Sequence, residues 1–516
     1  MSTTLFFFFF FFSHSSIWDF AIALLSLFIF CSIRERITNK GPMLWPVLGI
    51  IPTLLTNIND VYTFVTNSMN RAGGTFAHRG MWMGGAHGVV TSNPSNIEHM
   101  LKTNFRNYPK GRYFRERFND LLGDGIFNAD GQSWKEQRKV AKSEMHSPRF
   151  VEYSYKSMVH LVQNKLIQVM EGKLKSGESF DLQELLLKLT FDNICSVAFG
   201  VDPECLTSPE LNPFARAFEE ATELTLVRFL VPPFVWKPMK WFLIGYERKL
   251  KQAVEVVHGF ADEIVRERKE KLRKDGNLDG EFDLLSRVMQ RSHRGPDEVS
   301  DEYLRDFCVS FILAGRDTTS VGLAWFFWLL SRNPEVERIV VDEINRVVGS
   351  RREGEKHDGC LRDEELKEMV YLEAALSESL RLYPPVPTEM KEVMEDDVLP
   401  DGSMVKKGGR VFYCMFSTAR MESLWGEDCL EFKPERWIKD GRVVSENQFK
   451  YAVFNAGPRM CLGKKFAYTQ MKMVAASVLL RFSVEVVDGQ CVVPKVTTTL
   501  YMKHGLLVKL KPRGIC

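Results

Sequence analysis

The sequence predicts a mainly α-helical protein with a small β-rich part, preceded by a single N-terminal membrane anchor. Three observations lead to this prediction. An apolar run near the start is followed at once by basic residues, helix-forming stretches fill the chain between about residues 91 and 390, and short segments joined by glycine-containing turns flank those helices on both sides. With 516 residues, 45% hydrophobic and 26% charged, the composition is that of ordinary globular protein.

The anchor is predicted from the apolar run at residues 17–33. At about 1.5 Å per residue this run reaches only about 25 Å, less than the roughly 30 Å of a bilayer core, so the polyphenylalanine run at residues 6–12 is expected to lengthen it. Arg34, Arg36 and Lys40 follow, and by the positive-inside rule they keep the remainder of the chain in the cytosol. No small-x-small cleavage site follows the run, which favours a single-pass signal anchor over a cleaved signal peptide.

The chain after the anchor divides into a connector and one large body. Residues 34–49 are basic and rich in proline and glycine, which is typical of a stiff, extended hinge. We therefore predict an anchor at residues 1–33, a hinge at residues 34–49 and one large domain at residues 50–516, to which all the motifs below belong. Residues 306–330 are apolar enough to suggest a second membrane span, but the polar centre at residues 315–319 favours a long helix through a protein core.

Charge and cysteine spacing argue against several classes of protein. A net charge of +2 gives no reason to expect a nucleic-acid partner. The ten cysteines contain no Cys-x-x-Cys pair, and the ten histidines form no i, i+4 pair with a nearby carboxylate. A disulfide scaffold and a structural zinc site are therefore not expected.

One aromatic cluster with interspersed lysines has two interpretations. A mixture of aromatic and basic residues suits a membrane interface, and packing between two helices of the core is the equal alternative. The aromatic members are Phe229, Phe234, Trp236, Trp241 and Phe242.

The ten residues at 454–463 (Phe-Asn-Ala-Gly-Pro-Arg-Met-Cys-Leu-Gly) have the composition of a loop that presents one sulfur, that of Cys461. Gly457 and Gly463 permit close approaches that a Cβ would prevent, and a helix predicted from Lys464 places backbone N–H groups near the thiolate. A soft, anionic sulfur with no second cysteine nearby suits a single axial ligand of haem iron better than a zinc site. The alternative is that Cys461 is a small buried hydrophobe.

This loop resembles the haem-binding loop of the cytochromes P450, in which five residue types recur at the same spacing. The matching residues are Phe454, Gly457, Arg459, Cys461 and Gly463. The resemblance implies the cytochrome P450 fold and a haem b whose iron is ligated by the Cys461 thiolate.

A second stretch, residues 314–319 (Ala-Gly-Arg-Asp-Thr-Thr), lies about 140 residues before the cysteine. If it passes over a haem, Gly315 leaves room for a ligand, the Thr318 hydroxyl can bond back to its helix and open it locally, and Asp317 can relay protons from solvent. The stretch resembles the oxygen-activation motif of the same family. The resemblance implies that Asp317 and Thr318 are catalytic.

Two donors, the indole of Trp134 and the guanidinium of Arg138, lie at i, i+4 on one predicted helical face. Haem has two propionates, and arginine is the natural partner of a planar anion. Family members carry this Trp-x-x-x-Arg pair against a propionate, which implies the same role here, with Arg459 taking part. Lys391 stands where many relatives have an arginine for the second propionate.

An acid and a base lie at i, i+3 in Glu378 and Arg381, and Arg436 follows in a later loop. Alone, such a pair is common on exposed helices. The three residues resemble the buried Glu-x-x-Arg and arginine triad of the family. The resemblance implies that they fix the cysteine loop and are structural rather than catalytic.

Electrons have to come from a partner, because no flavin or nicotinamide fingerprint occurs in the sequence. The resemblance implies NADPH through a separate reductase, an NADPH–cytochrome reductase, and an endoplasmic reticulum protein whose catalytic domain is cytosolic. Basic residues near the cysteine could dock an acidic reductase, or could merely be solvated. These residues are Lys439, Arg442, Lys450, Lys464 and Lys465.

The substrate is suggested by a closer resemblance, to the plant fatty-acid ω-hydroxylases, carried by residues 314–318, 454–459, 467–472 and 496–502. It implies O2-dependent oxidation of the terminal carbon of long acyl chains for cutin and suberin. Arg112 or Lys110 is a candidate for holding the fatty carboxylate at the channel mouth. Apolar residues expected to line the channel, or alternatively the core, are Phe114 and Phe118 in a loop, Phe311, Ala314, Val386 and Leu500.

Three other functions remain open at this point. A monooxygenase acting on a terpenoid or a sterol would keep every motif and differ only in its channel. An enzyme of the same fold that rearranges hydroperoxides is expected to lack the Thr318 arrangement. A non-catalytic haem carrier or sensor would use Cys461 but would not need Asp317 and Thr318.

Overall fold

The computed structural model of the chain describes most of its length. The described residues are 16–81, 87–208, 212–290, 299–351 and 360–513. The polyphenylalanine run at residues 6–12, predicted to lengthen the membrane span, lies outside them.

Helices form most of the described chain, as predicted. The α-helices are α1 (Ile17–Thr38), α2 (Ile51–Thr56), α3 (Val61–Ala72), α4 (Pro94–Glu98), α5 (Gly111–Leu122), α6 (Gly131–Met145), α7 (Pro148–Leu161), α8 (Ile167–Ser176), α9 (Leu182–Phe199), α10 (Pro213–Leu230), α11 (Pro233–Phe242), α12 (Tyr246–Asp275), α13 (Leu284–Gln290), α14 (Asp301–Arg332), α15 (Pro334–Gly349), α16 (Asp363–Glu368), α17 (Val370–Leu382), α18 (Met415–Thr418), α19 (Glu422–Trp425) and α20 (Lys464–Arg481).

The strands come from both ends of the sequence, which confirms the predicted small β-rich part. They are β1 (Thr75–Arg79), β2 (His87–Thr91), β3 (Phe180–Asp181), β4 (Glu389–Glu392), β5 (Asp397–Val398), β6 (Met404–Val405), β7 (Arg410–Tyr413), β8 (Ile438–Lys439), β9 (Arg442–Val443), β10 (Phe482–Val486) and β11 (Leu507–Pro512). The largest sheet has the order β1-β2-β7-β4, with β2 and β7 parallel and the other pairs antiparallel. A second sheet has the order β10-β11-β3.

The N-terminal helix α1 is the one described helix that is long and apolar enough to cross a membrane. Its first turn is closed by a capping box in which Ser16 and Asp19 exchange side-chain and backbone hydrogen bonds, and none of its residues is buried. The helix ends at Thr38, so its last turn includes residues that the sequence assigns to the hinge.

The long helix α14 forms the centre of the catalytic body. Its first half packs in one large apolar cluster with α9 and α12, and its second half packs in another with α17 and α20. The predicted core helix is therefore confirmed in place of a second membrane span. The polar stretch at residues 315–319 falls where the two apolar clusters meet.

The aromatic cluster with interspersed lysines lies at the end of α10, which carries Phe229, and on α11, and its members differ in burial. Trp236 is buried, and its indole ring faces the guanidinium of Arg228 with 4.9 Å between the ring centroid and Cζ. Phe234, Trp241 and Phe242 are exposed. The buried member belongs to the core, and the exposed members form an apolar surface.

Candidate active site

The loop that carries Cys461 is held by its own backbone. The amide of Cys461 donates to the Phe454 carbonyl at 2.7 Å, and short 3₁₀ turns, one of them Gly457–Arg459, give the loop more regular structure than its sequence suggests. Gly457 has φ +61°, and a Cβ there would lie 2.1 Å from the Leu101 carbonyl oxygen, so glycine is required. Gly463 has an ordinary φ of −89°, which corrects the expectation that both glycines serve the backbone.

Cys461 lies three residues before the start of α20, as predicted. Cys461 is partly exposed as a residue, yet its sulfur lies deep enough for burial to raise the pKa of the thiol. The Gly463 amide and the positive charges of Arg138 and Lys464 act in the opposite direction and favour the thiolate. The backbone N–H next to the helix start therefore favours the thiolate, as expected, but desolvation is the larger effect on the free thiol.

The predicted donors Trp134 and Arg138 meet the cysteine loop from α6. Arg138 Nη2 donates to the Met460 carbonyl at 2.5 Å, so its guanidinium holds the loop beside Cys461. Trp134 is buried, and the guanidinium of Arg459 faces its ring at 4.4 Å. Trp134, Arg138 and Arg459, which the resemblance assigns to one haem propionate, therefore lie together beside the cysteine loop.

Two cationic side chains, Arg459 of this loop and Lys391 of β4, have unsatisfied donors. Arg459 donates through Nη2 to Asp130 Oδ1 at 2.5 Å, but its Nε has no partner among the described residues. Lys391 is fully buried, and its Nζ has no hydrogen-bond partner among the described residues. Burial and the nearby charge of Lys110 lower the pKa of Lys391 to about 7, although the Glu389 carboxylate acts to raise it. A buried, unpaired cation is costly. These groups fit a ligand that carries carboxylates, as the two propionates of haem would.

Thr318 occupies the predicted position on α14. Its hydroxyl donates to the Ala314 carbonyl, one turn earlier, at 2.7 Å, while the α-helix continues unbroken through this stretch. The hydrogen bond from the Thr318 hydroxyl to its own helix is therefore as predicted, but the helix does not open locally as expected. A Cβ on Gly315 would lie 2.5 Å from Ile194 Cδ1, so this glycine allows α14 and α9 to approach each other and does not leave room for a ligand.

Asp317 faces away from Thr318 into a buried cluster. Its Oδ1 accepts from Arg316 Nη1 at 3.0 Å, and Arg316 Nη2 lies 3.9 Å from the half-exposed carboxylate of Glu219. Burial raises the pKa of Asp317, and Arg316 and Tyr501 oppose that rise. Neither the Tyr501 hydroxyl nor Asp317 Oδ2 has a hydrogen-bond partner among the described residues. The cluster links Asp317 to the surface through charged groups.

The predicted structural triad is present and buried. Glu378 accepts from Arg381 Nε at 2.7 Å and Nη2 at 2.8 Å, and from Arg436 Nε at 3.2 Å. The indole of Trp437 donates to the same carboxylate at 2.9 Å. Arg381 also donates to the carbonyl of Cys429 at 2.8 Å. The triad therefore binds α17 to the segment that leads into the cysteine loop.

A cavity of about 620 Å³ extends from α14 towards the N-terminal part of the catalytic body. It is lined on the α14 side by Leu313, Ala314 and Thr318, and most of the remaining lining is apolar. Its volume falls within the ~300–1,000 Å³ typical of small-molecule sites. Cys461 and Asp317 are not among its lining residues.

Four of the six residues predicted to line the channel do line the cavity. Phe114, Phe118, Ala314 and Val386 line the cavity, although the first two lie on α5 and not in a loop. Two others belong to the core. Phe311 and Leu500 are buried and do not line it.

Of the candidate carboxylate ligands, Arg112 does not line the cavity and Lys110 does. Arg112 is on the surface, with 84% of its side chain exposed, and pairs with Glu116 at 2.6 Å. Lys110 is already paired with Glu389, Nζ to Oε2 at 2.8 Å. Two further charged residues, Arg117 and Arg410, line the cavity, and the sequence did not single them out.

The predicted basic residues near the cysteine differ in exposure. Lys439, Arg442 and Lys465 are exposed, whereas Lys450 pairs with Glu446 at 3.3 Å and Lys464 lies over the Phe454 ring at 5.6 Å. A reductase docking role for this group stays a prediction.

Comparison with known proteins gives matches over nearly the whole chain. The Cytochrome P450 family model matches residues 40–515. Cytochrome P450 86B1 of Arabidopsis thaliana is 48% identical over 501 residues, which cover 95% of this chain and 90% of that protein. Cytochrome P450 94A1 of Vicia sativa is 44% identical over 408 residues, covering 78% and 76%. Noroxomaritidine synthase 1 of Narcissus pseudonarcissus is 35% identical over 505 residues, covering 96% and 97%.

Proposed function

This chain belongs to the cytochrome P450 family of haem-thiolate monooxygenases, and from that premise we propose that it hydroxylates the terminal (ω) carbon of long-chain fatty acids for the synthesis of cutin- or suberin-type lipids. Its electrons come from NADPH through a separate reductase. The haem iron, when bound, activates O2 so that one oxygen atom can be inserted into a C–H bond.

The observation that carries the substrate proposal is the cavity. A mostly apolar wall of aliphatic and aromatic side chains suits an unbranched acyl chain, and Thr318 lies in that wall on α14. The resemblance of residues 496–502 to the plant fatty-acid ω-hydroxylases supports the same substrate class, because residues 496–499 line the cavity.

The residues have separate roles in this proposal. Cys461 would ligate the iron, and Arg459 and Lys391 would bind the propionates. Arg138 holds the loop through the Met460 carbonyl. Thr318 keeps a proton at Oγ1 on the cavity side of α14, where a hydroxyl can pass it to a reacting group.

Access from the membrane is part of the proposal. The cavity is lined at residues 50–55 by the start of α2 and at residues 230–233 by the turn before α11. Each of these segments carries exposed apolar side chains, among them Leu55 and Leu230. With α1 as an anchor in the endoplasmic reticulum membrane, both surfaces would face lipid, and an acyl chain could enter the cavity from the bilayer.

A turnover assay tests the substrate. Microsomes that contain this protein and a plant reductase receive NADPH and saturated and unsaturated fatty acids of graded length, and products are located by mass spectrometry. We expect a hydroxyl group on the last carbon. The control is the same mixture without NADPH.

Two other outcomes of this assay would contradict the proposal, each in a different way. Turnover of a terpenoid or sterol with none of the fatty acids would replace the substrate class and keep the monooxygenase. A thiolate-ligated haem spectrum without NADPH-dependent turnover of any of these compounds would favour a haem carrier or sensor.

Replacement of Thr318 tests the proton role. Thr318→Ala is expected to keep the haem spectrum and fatty-acid binding but to lower the product formed per NADPH consumed, because a positioned proton donor contributes about 10²-fold or more in rate. Product and NADPH are measured in the same reaction. The matched control is Thr319→Ala, whose buried side chain does not line the cavity. Equal product per NADPH in both variants would contradict the role.

A further inference from the structure

A second cavity lies at the surface between α5 and α11, and its volume is about 810 Å³. Among the described residues it shares no lining residue with the cavity that reaches Thr318. Its side-chain walls are one face of each helix, at i, i+3, i+4 and i+7 on α5 and at i, i+1 and i+4 on α11. We call it the α5–α11 cleft, and these wall residues are Arg112, Arg115, Glu116, Asn119, Trp236, Lys237 and Lys240.

Two cations of the cleft share one carboxylate. Arg112 Nε lies 2.6 Å from Glu116 Oε1, and Lys237 Nζ lies 3.1 Å from Glu116 Oε2. Arg112 is largely exposed and Lys237 is half-exposed. Ion pairs between exposed side chains contribute little to stability, so both cations can exchange this partner for a ligand. The pair also carries one more positive charge than Glu116 balances.

A third cation, Lys240, shares its carboxylate with a buried arginine. Lys240 Nζ lies 2.8 Å from Asp120 Oδ1, and Arg228 Nη2 lies 2.7 Å from Asp120 Oδ2. The remaining charged lining residues have partners of their own. Arg115 pairs with Asp124, Asp130 with Arg459, and Glu392 lies opposite Arg410 in the register of β4 and β7. The excess of positive charge therefore belongs to Arg112, Lys237 and Lys240.

The cleft also has a buried donor without an acceptor. Trp236 lines the cleft and is only 2% exposed, and its indole Nε1 has no hydrogen-bond partner among the described residues. An indole N–H can only donate, and a buried donor that is left unsatisfied is costly. A ligand oxygen in the cleft would satisfy it. The neighbouring cations favour a ligand whose oxygens carry negative charge.

The apolar surface of α11 lies directly beside these cations. Trp241 and Phe242 follow Lys240 in the chain, and both are exposed, as is Phe234 one turn before Lys237. Aromatic side chains next to lysines are typical of the boundary between the acyl chains and the headgroups of a membrane. Because Lys240 and Trp241 are adjacent, a phospholipid whose acyl chains pack on the aromatic side chains has its phosphate within reach of Lys240.

We propose that the α5–α11 cleft binds the headgroup of an anionic phospholipid. Arg112, Lys237 and Lys240 surround its phosphate, and the indole of Trp236 donates to a phosphate oxygen. A phosphate diester supplies both the negative charge and the acceptor that the cleft lacks. A soluble phosphate has the same chemistry, but only a lipid also covers the apolar surface next to the cleft.

The cleft and the substrate cavity share α5 as a wall. Phe114 and Phe118 of this helix line the cavity, whereas Arg112 and Glu116 line the cleft. A bound headgroup would join α5 to α11 on the side away from the substrate. This site goes beyond the proposed function and does not depend on which substrate the cavity accepts.

The test measures the lipid retained by the full-length, haem-loaded protein in a neutral detergent. Dioleoylphosphatidylglycerol, dioleoylphosphatidylcholine and inorganic phosphate are titrated separately, and bound ligand is counted by native mass spectrometry. Both lipids carry the phosphate and the same acyl chains, but only phosphatidylglycerol has a net negative charge. We therefore expect the wild type to bind phosphatidylglycerol more tightly than phosphatidylcholine.

Two variants separate the charge from the indole. Lys237→Gln combined with Lys240→Gln is expected to weaken binding of phosphatidylglycerol about 30-fold and to remove most of the preference, since each lysine at a membrane surface contributes about 5-fold. Trp236→Phe keeps the ring and loses the N–H. It should weaken binding of both lipids by the same factor, about 10-fold, because the phosphate is common to both.

The matched control is Lys156→Gln combined with Lys367→Gln. These two exposed lysines also pair with carboxylates on helices but lie outside the cleft, so the same charge is removed and neither affinity should change. An equal loss in this control, or an unchanged preference in the Lys237 and Lys240 variant, would overturn the site. Binding of inorganic phosphate with neither lipid retained would overturn the lipid as the occupant. Turnover is not the readout, so a failure of ω-hydroxylation would overturn the proposed function and leave this site intact.

Discussion

Cys461→Ser is expected to abolish both the thiolate-type spectrum of the reduced, CO-treated protein and all NADPH-dependent turnover. Serine has nearly the same size, and the backbone bond from residue 461 to the Phe454 carbonyl does not use the side chain, so the loop should keep its shape. A neutral hydroxyl, however, is neither soft nor anionic at neutral pH and cannot replace a thiolate on haem iron. The measurement is the CO difference spectrum together with product formation from a fatty acid.

The control for this variant is Cys491→Ser. Cys491 is a free, exposed cysteine on the surface, so its replacement should change neither the spectrum nor turnover. A thiolate-type spectrum that persists in Cys461→Ser would show that another residue ligates the iron and would remove the basis for the site described here.

The sequence predicted best those features whose cause is local. The helix expected from Lys464 to Leu480 is observed as Lys464–Arg481, because its residues are good helix formers and the glycine before it ends the loop. The polar centre of α14 correctly excluded a second membrane span. Gly457 was recognised because it belongs to a ten-residue pattern, and its φ of +61° gives the physical reason for that pattern.

Predictions failed where the answer depends on which face of an element meets a distant neighbour. Gly315 was expected to make room for a ligand, but Ile194 of α9 packs against it, and nothing near Gly315 in the sequence indicates that contact. Phe311, one turn before the residues that line the cavity, points into the core for the same reason. Helical periodicity shows that a helix has a buried face, but it does not show whether that face meets protein or a cavity.

The charged part of the cavity could not be predicted at all from local sequence. Arg117 lies on α5 and Arg410 on β7, almost 300 positions apart, and only the packing of α5 against the large sheet brings both onto Tyr113. Each arginine alone has the appearance of an ordinary surface cation. Arg112, five positions before Arg117, was a candidate for the channel mouth, and the turn of the helix decides that it is exposed.

Glu378→Ala is expected to have the largest effect on stability, about 3–5 kcal/mol, because it leaves the buried guanidinium of Arg381 and that of Arg436 without their shared carboxylate. A loss of that size is a large fraction of the roughly 5–15 kcal/mol that holds a folded domain together. The amount of protein with a thiolate-ligated spectrum should therefore fall steeply, and the remaining material should melt at a lower temperature.

The chain contains a matched control for this change. Glu335 and Arg338 form the same Glu-x-x-Arg pair, with Nη2 to Oε1 at 2.6 Å, but both side chains are exposed, so solvent replaces the lost partner in Glu335→Ala and no measurable change is expected. Turnover per haem separates the structural role from a catalytic one. If Glu378 only binds α17 to the segment before the cysteine loop, the few Glu378→Ala molecules that fold should turn over substrate at the wild-type rate. A normal yield of folded protein with slow turnover would instead place Glu378 in the chemistry and contradict the structural assignment.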